Sequence, residues 1–144
     1  METEAMGKVI VTAKIENLED LFNLQKGLLS PEQVRSVEVT DALVDTAATG
    51  LSLPKWLVSQ LGLYPFRSQR ARTSAGLVTF QVYGSVRLTV QGRVCTCDVV
   101  EIPDECPVLI GQIPLEGLDL VVDPAGRRLI GNPEHGGEHM IEMY

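Results

Sequence analysis

Few residues in this chain can carry reaction chemistry, and their spacing restricts what they can do. The only histidines, His135 and His139, stand four apart, a spacing that could hold a metal on a helix. Gly136 and Gly137 between them disfavour that helix, so solvated histidines are expected. Cys95 and Cys97 are two apart on an expected strand and point to one face, with Cys106 one hairpin return away. That set supplies only three metal ligands, so the thiols read as small buried hydrophobes. Asp45 ends the apolar run Ala42-Leu43-Val44 and precedes Thr46-Ala47-Ala48-Thr49. From spacing alone it is a turn former or a helix cap, and on a loop it could be a reactive carboxylate. G-x-S-x-G, H-E-x-x-H, P-loop and G-x-G-x-x-G patterns are missing.

The elements that must position these groups are mostly strands. Val9, Val11, Ala13 and Ile15 alternate on one face of a half-buried strand. Leu18, Leu21, Phe22 and Leu24 fit a short helix or turn that Gly27 would stop, and Ser30-Pro31 is turn chemistry. A strand then runs to Asp45 and becomes apolar on both faces at Ala42-Leu43-Val44. Pro54, Trp56, Leu57 and Leu61 begin a helix with Gly62 as its C-terminal stop. Two hairpins follow, one turning at Ser74-Ala75-Gly76 and one at Gln91-Gly92. "CPVLIG" is a short buried strand, and "QIPLEGL" holds at most two helical turns. Two last strands flank Asp123-Pro124-Ala125-Gly126. The tail, residues 134–144, has no clear period, and its two glycines and charged residues favour flexibility. The expected fold is mainly β and barrel-like, with one or two short helices. The whole chain, 1–144, reads as one domain with a core of about 7–133. A weak internal echo pairs "ALVDTAATGLSLPKWLVSQLGL" with "PVLIGQIPLEGL", each an apolar strand, a loop and a short helix.

Composition narrows the function. The 144 residues are 44% hydrophobic but only 5% aromatic, so the core must be built from Val, Leu, Ile and Ala. A formal net charge of -7 disfavours nucleic-acid binding, which depends on Lys and Arg neutralising phosphates. Arg67, Arg70 and Arg72, like Arg127 and Arg128, are close together and read as solvated. No apolar run is long enough to span a membrane, and "METEAMGK" lacks a basic segment followed by an apolar one. A soluble, cytoplasmic protein with free thiols is expected.

"LVDTAAT", followed much later by "VLIG" and a short helix, resembles the retropepsin-like (retroviral-type, clan AA) aspartic proteases. Their signature is an apolar pair, then Asp-Thr/Ser-Gly-Ala, then Thr or Ser. Leu43-Val44 is the pair; Asp45, Thr46 and Ala48 match. Leu109-Ile110-Gly111 supplies the downstream apolar-apolar-Gly element, and "TSAG" lies where the family carries its flap. The resemblance covers roughly Val37 to Pro133, and "PVLIGQIPLEGLDLVVDPAGRRLIGNP" looks like the small bacterial members.

This resemblance implies an acid-protease fold with one active-site aspartate per subunit. Asp45 would be catalytic on a loop of Thr46, Ala47 and Ala48, with Ile110 and Gly111 as second-loop support. Thr46 would hydrogen-bond across a dimer, and the N–H groups of residues 47 and 48 would face carboxylates or substrate. Thr73, Ser74, Ala75 and Gly76 would form a flap over an extended peptide. Pepsin-like chains carry two such motifs; this chain has one, and its echo carries Gly111 where a second acid would stand. A twofold homodimer would complete an Asp45/Asp45′ dyad acting on a peptide or protein substrate at mildly acidic pH. No metal or organic cofactor, nucleic acid or membrane partner is implied. Ala47 replaces the motif glycine, and negative φ there would let the methyl be tolerated. A second reading, a non-catalytic dimeric peptide-binding or assembly module on the same fold, rests on that replacement.

Overall fold

A computed structural model describes residues 8–143. The reading of "METEAMG" therefore falls outside the described residues. The chain runs β1 (Val9–Asn17), α1 (Leu18–Gln25), β2 (Ser36–Val44), β3 (Leu51–Pro54), α2 (Lys55–Gln60), β4 (Tyr64–Thr73) and β5 (Gly76–Val90). It continues through β6 (Arg93–Ile102), β7 (Leu109–Ile110), α3 (Gln112–Leu118), β8 (Leu120–Asp123) and β9 (Arg128–Gly131). Short 3-10 turns lie at Pro31–Gln33 and Pro133–His135.

The expected mainly β architecture is present. Among the described residues three short α-helices are found rather than one or two, because the ambiguous segment after β1 does become helical. Asn17 fixes its start: the Asn17 side chain accepts from the Asp20 N–H at 3.0 Å and donates to the Leu61 carbonyl at 2.8 Å. Cap and tertiary anchor are thus one residue.

Seven strands form one sheet in the order β1-β2-β7-β3-β6-β5-β4, and β1 also pairs with β5. That extra pairing bends six strands into a ring, leaving β4 as the open edge. Glu16 and Arg87 face each other across the closing pair. Their side chains meet at 2.8 Å, and Glu16 is buried. A carboxylate taken from water at this seam therefore keeps a charged partner.

The interior is aliphatic, as the composition requires. Ile15, Leu51, Leu53, Leu57, Leu88 and Ile110 are fully enclosed, and among the described residues no aromatic side chain belongs to the buried core. Each such side chain contributes about 1.5–3 kcal/mol by leaving water. β4 and the first half of β5 contribute almost nothing to this core. They project from the ring as a two-stranded arm with exposed residues on both faces.

Candidate active site

Asp45 leaves β2 at the crossing of two loops. β2 and β7 run parallel, with Leu43 opposite Leu109 and Val44 opposite Ile110. β7 also pairs antiparallel with β3. The short strand β7 is therefore clasped between the strand entering the Asp45 loop and the strand leaving it.

Main-chain hydrogen bonds then lock the loop. Asp45 N–H donates to the Ile110 carbonyl at 2.9 Å, and Gly111 N–H donates to Gly50 at 2.9 Å. Gln112 and Ile113, the first residues of α3, donate to the carbonyls of Ala48 at 2.9 Å and Thr49 at 2.8 Å. The orphan N–H groups of a helix start thus find acceptors on the loop they support. Close approach is possible because residue 111 is glycine. A methyl there would lie 2.5 Å from the Gly50 oxygen and 2.7 Å from the Ala48 oxygen.

The Asp45 side chain is half-buried, beside exposed Thr46 and Ala47. Its Oδ1 accepts the Ala47 N–H at 3.1 Å. No cation pairs with it among the described residues, and its second oxygen has no partner there. The Ala48 N–H turns instead to the Asp45 main-chain carbonyl at 3.0 Å. Of the two N–H groups expected to face carboxylates or substrate, that of Ala47 bonds the Asp45 carboxylate and that of Ala48 bonds the loop's own backbone. Among the described residues, the Thr46 hydroxyl makes no hydrogen bond. Ala47 is not among the described residues with positive φ, so its methyl meets no backbone penalty.

The "TSAG" segment is the tip of the β4–β5 arm, where Thr73 lies opposite Gly76. Thr73 Oγ1 donates to the Gly76 carbonyl at 2.8 Å and accepts the Ala75 N–H at 3.1 Å. Gly76 has φ +114°, a conformation that favours glycine. At the base of the arm a cavity of about 570 Å³ opens, lined by Thr49, Gly50, Arg67, Phe80, Val82 and Ile113 among others. It borders the Asp45 loop four residues beyond Asp45.

The arginines and thiols fall elsewhere. Arg67 faces this cavity, 3.9 Å from Asp98. Arg70 and Arg72 lie on the other face of β4 by strand alternation, exposed as expected. All three cysteines are free. The Cys95 Sγ lies 3.8 Å from the Pro114 carbonyl. The neighbouring Cys97 thiol pulls Cys95 below the usual thiol range, while the Cys95 thiol and then burial push Cys97 above it. Cys106 lines a different depression, beside Trp56. No described group of three His, Cys, Asp or Glu side chains is placed to hold a metal.

His135 was expected to be solvated; its side chain is instead only 11% exposed and lies 2.6 Å from Asp119. Little in the local sequence marks Asp119 as its partner. The one available signal was a polar residue directly after a short helix.

No described helix is long and apolar enough to cross a membrane. No curated protein gives a significant match. Among solved structures, the solution structure of Simian Foamy Virus (mac) protease matches with 20% identity and a TM-score of 0.47. That match covers 74% of this chain and 91% of that one. A family model described as aspartyl protease matches residues 32–124, which include the Asp45 loop, the arm and Gly111. By that match, this chain belongs to the aspartyl protease family.

Proposed function

We propose that the chain is one subunit of a homodimeric aspartic endopeptidase, a single retropepsin-like domain whose Asp45 meets the Asp45 of a second copy. The observation that carries this reading is the Asp45 carboxylate itself. It is fixed through its own backbone and one N–H, has no cation partner among the described residues, and sits on an exposed rim beside Thr46 and Ala47. A structural aspartate taken out of water would have its hydrogen-bonding capacity consumed. This one keeps half of it free, as one half of a symmetric pair requires.

Two carboxylates about 3 Å apart cannot comfortably both ionise, so the pair shares one proton. The ionised member takes a proton from a water between them as its oxygen attacks the peptide carbonyl. The other member donates its proton to the carbonyl oxygen. When the tetrahedral centre collapses, a proton passes to the departing amine and the C–N bond breaks, regenerating the shared-proton state. No metal or organic cofactor is needed for these steps. The β4–β5 arm would close over an extended substrate and exclude water. The cavity at its base would take a substrate side chain.

Ala47 favours a second reading, a peptide-binding or assembly module without turnover. Its negative φ supports the catalytic one. Cleavage of a mixed peptide library near pH 5 separates them. Asp45→Asn should lower the rate by about 10²–10⁴-fold or more, the scale of lost acid–base catalysis. Peptide binding with no turnover in either protein would favour the module, and equal turnover in both would overturn the mechanism.

A further inference from the structure

The chain after β9 is pinned to the body through one buried carboxylate. Asp119 ends α3 in a left-handed conformation, φ +56°. Its side chain accepts from His135 Nδ1 at 2.6 Å, Met140 N–H at 3.1 Å and Asn132 Nδ2 at 3.1 Å. Arg93 of β6 donates to the carbonyls of Asp119 at 2.8 Å and Leu118 at 3.2 Å, and also to that of Gly137. The His139 ring reaches the Gly117 carbonyl at 2.9 Å. Gly136 and Gly137, at φ +66° and +82°, turn the chain so that His135 and Met140 reach the same aspartate.

On its far side, His135 Nε2 lies 2.8 Å from Glu142 Oε2. The imidazole is thus held between two carboxylates. A neutral ring has one N–H and one lone pair, so it can satisfy only one of them. Its lone pair would then face the other. Only the imidazolium fits both. The remaining charged groups nearby reinforce this. Glu116 of α3, Glu134 of the adjoining turn, and Glu138 and Glu142 of the tail are acidic. The nearby cation, Arg93, and the His139 ring are engaged with main-chain carbonyls.

The geometry points to a pH-dependent strap: residues 138–143 stay docked while His135 is protonated and come away, from Glu142 inward, once it is neutral. The hydrogen bond to Asp119, then that to Glu142, raises the His135 pKa above its ordinary value. The His135 bond also draws Asp119 down to about 2. A raised histidine pKa stabilises the docked form fully below the ordinary histidine value and loses that effect as pH rises through the raised one. The depressed Asp119 sets the acid limit, where docking is lost as pH falls toward about 2. Leu115, Leu120, Met140 and Ile141 line the space between tail and body, so opening exposes apolar surface beside α3. Among the described residues, the cavity near Asp45 includes none beyond Pro114, so residues 138–143 do not fill it.

Hydrogen exchange of the full chain tests this independently of any peptidase activity. After correction for intrinsic rates, protection of the Met140 amide, which donates to Asp119, should fall about tenfold or more between pH 5.5 and pH 8.5, while β2 and β5 amides stay protected. His135→Ala should leave the tail unprotected at both values. In Glu142→Gln the side-chain amide can donate to the neutral ring, so the tail should stay docked at pH 8.5. Equal wild-type protection at both pH values would overturn the strap, as would an unchanged pH dependence in Glu142→Gln. The wild-type titration decides the matter even where a variant folds poorly.

Discussion

Asp45 and Gly111 each follow the same rung of two parallel strands, because Leu43 pairs with Leu109 and Val44 with Ile110. The two halves of the sequence echo therefore meet side by side, with an acid ending one and a glycine ending the other. The glycine is required by its neighbours. Gly111→Ala would force a methyl to within 2.5 Å of the Gly50 carbonyl oxygen, which is backbone and cannot swing away. The expected cost is about 1–3 kcal/mol, the usual range for overpacking. Denaturant unfolding should show a lower midpoint, and the Gln112 and Ile113 amides should lose exchange protection first. An unchanged midpoint would show that the loop has room it does not display.

Ala47 invites the opposite substitution. Its φ is not positive, so glycine gains no conformation that alanine lacks. Ala47→Gly should lower stability by about 0.4–1 kcal/mol through a more flexible unfolded chain. If the proposed dyad is already uncrowded, kcat on a cleaved peptide should change by less than about threefold, well under the tenfold that 1.36 kcal/mol of barrier represents. A gain of two orders of magnitude would instead identify the methyl as an obstruction.

Much of this arrangement is legible in local sequence. Period-two alternation marks β1 and β5, and Gln91-Gly92 turns β5 into β6 with both residues at positive φ. Asp123 to Gly126 turns β8 into β9. These signals lie within a few residues of what they specify, so a single chain displays them. The tail is the counter-example. Its glycines and charges read as flexibility, yet both glycines adopt left-handed φ and return the chain to Asp119. His135 is held by a partner 16 residues earlier, a relation no local pattern carries. The same reason hides the third helix: α1 is short, and Asn17 commits it by reaching Leu61. The loop around Asp45 was visible as a motif, but the hydrogen bonds that fix it come from β7 and α3, more than sixty residues away.

The arm offers a prediction that separates binding from folding. Thr73 closes its tip with two hydrogen bonds, and the whole turn is exposed. Thr73→Val keeps the β-branched shape and removes both. Exposed bonds of this kind are worth about 0.5–1.5 kcal/mol each at most, and here the arm frays without disturbing the core. The unfolding midpoint should barely move. If the arm covers substrate, KM should rise several-fold more than kcat falls. A fall in kcat with KM constant would place the tip in the chemical step instead.

Asp20 ties α1 to the rest of the fold and should govern acid stability. Its buried carboxylate receives Arg35 Nε at 2.8 Å, Arg35 Nη2 at 2.9 Å and the Arg35 N–H at 3.0 Å. The side-chain hydrogen bonds from Arg35 hold Asp20 below the usual carboxylate range, against the opposing effect of burial. The guanidinium lies against Gly62, where a methyl would sit 1.9 Å from Nη1, so the contact reaches the end of α2. A depressed folded pKa stabilises above the ordinary carboxylate value and ceases to do so as pH falls through the depressed one. Asp20→Asn should therefore cost about 1–3 kcal/mol at pH 7, toward the lower end because Arg35 is 46% exposed. The gap between wild type and variant should close as pH is lowered below about 4, where the unfolded carboxylate begins to bind protons. Urea titrations at pH 7, 4 and 2.5 measure that gap directly. A gap that stays constant across them would mean that Asp20 acts through shape and not through charge.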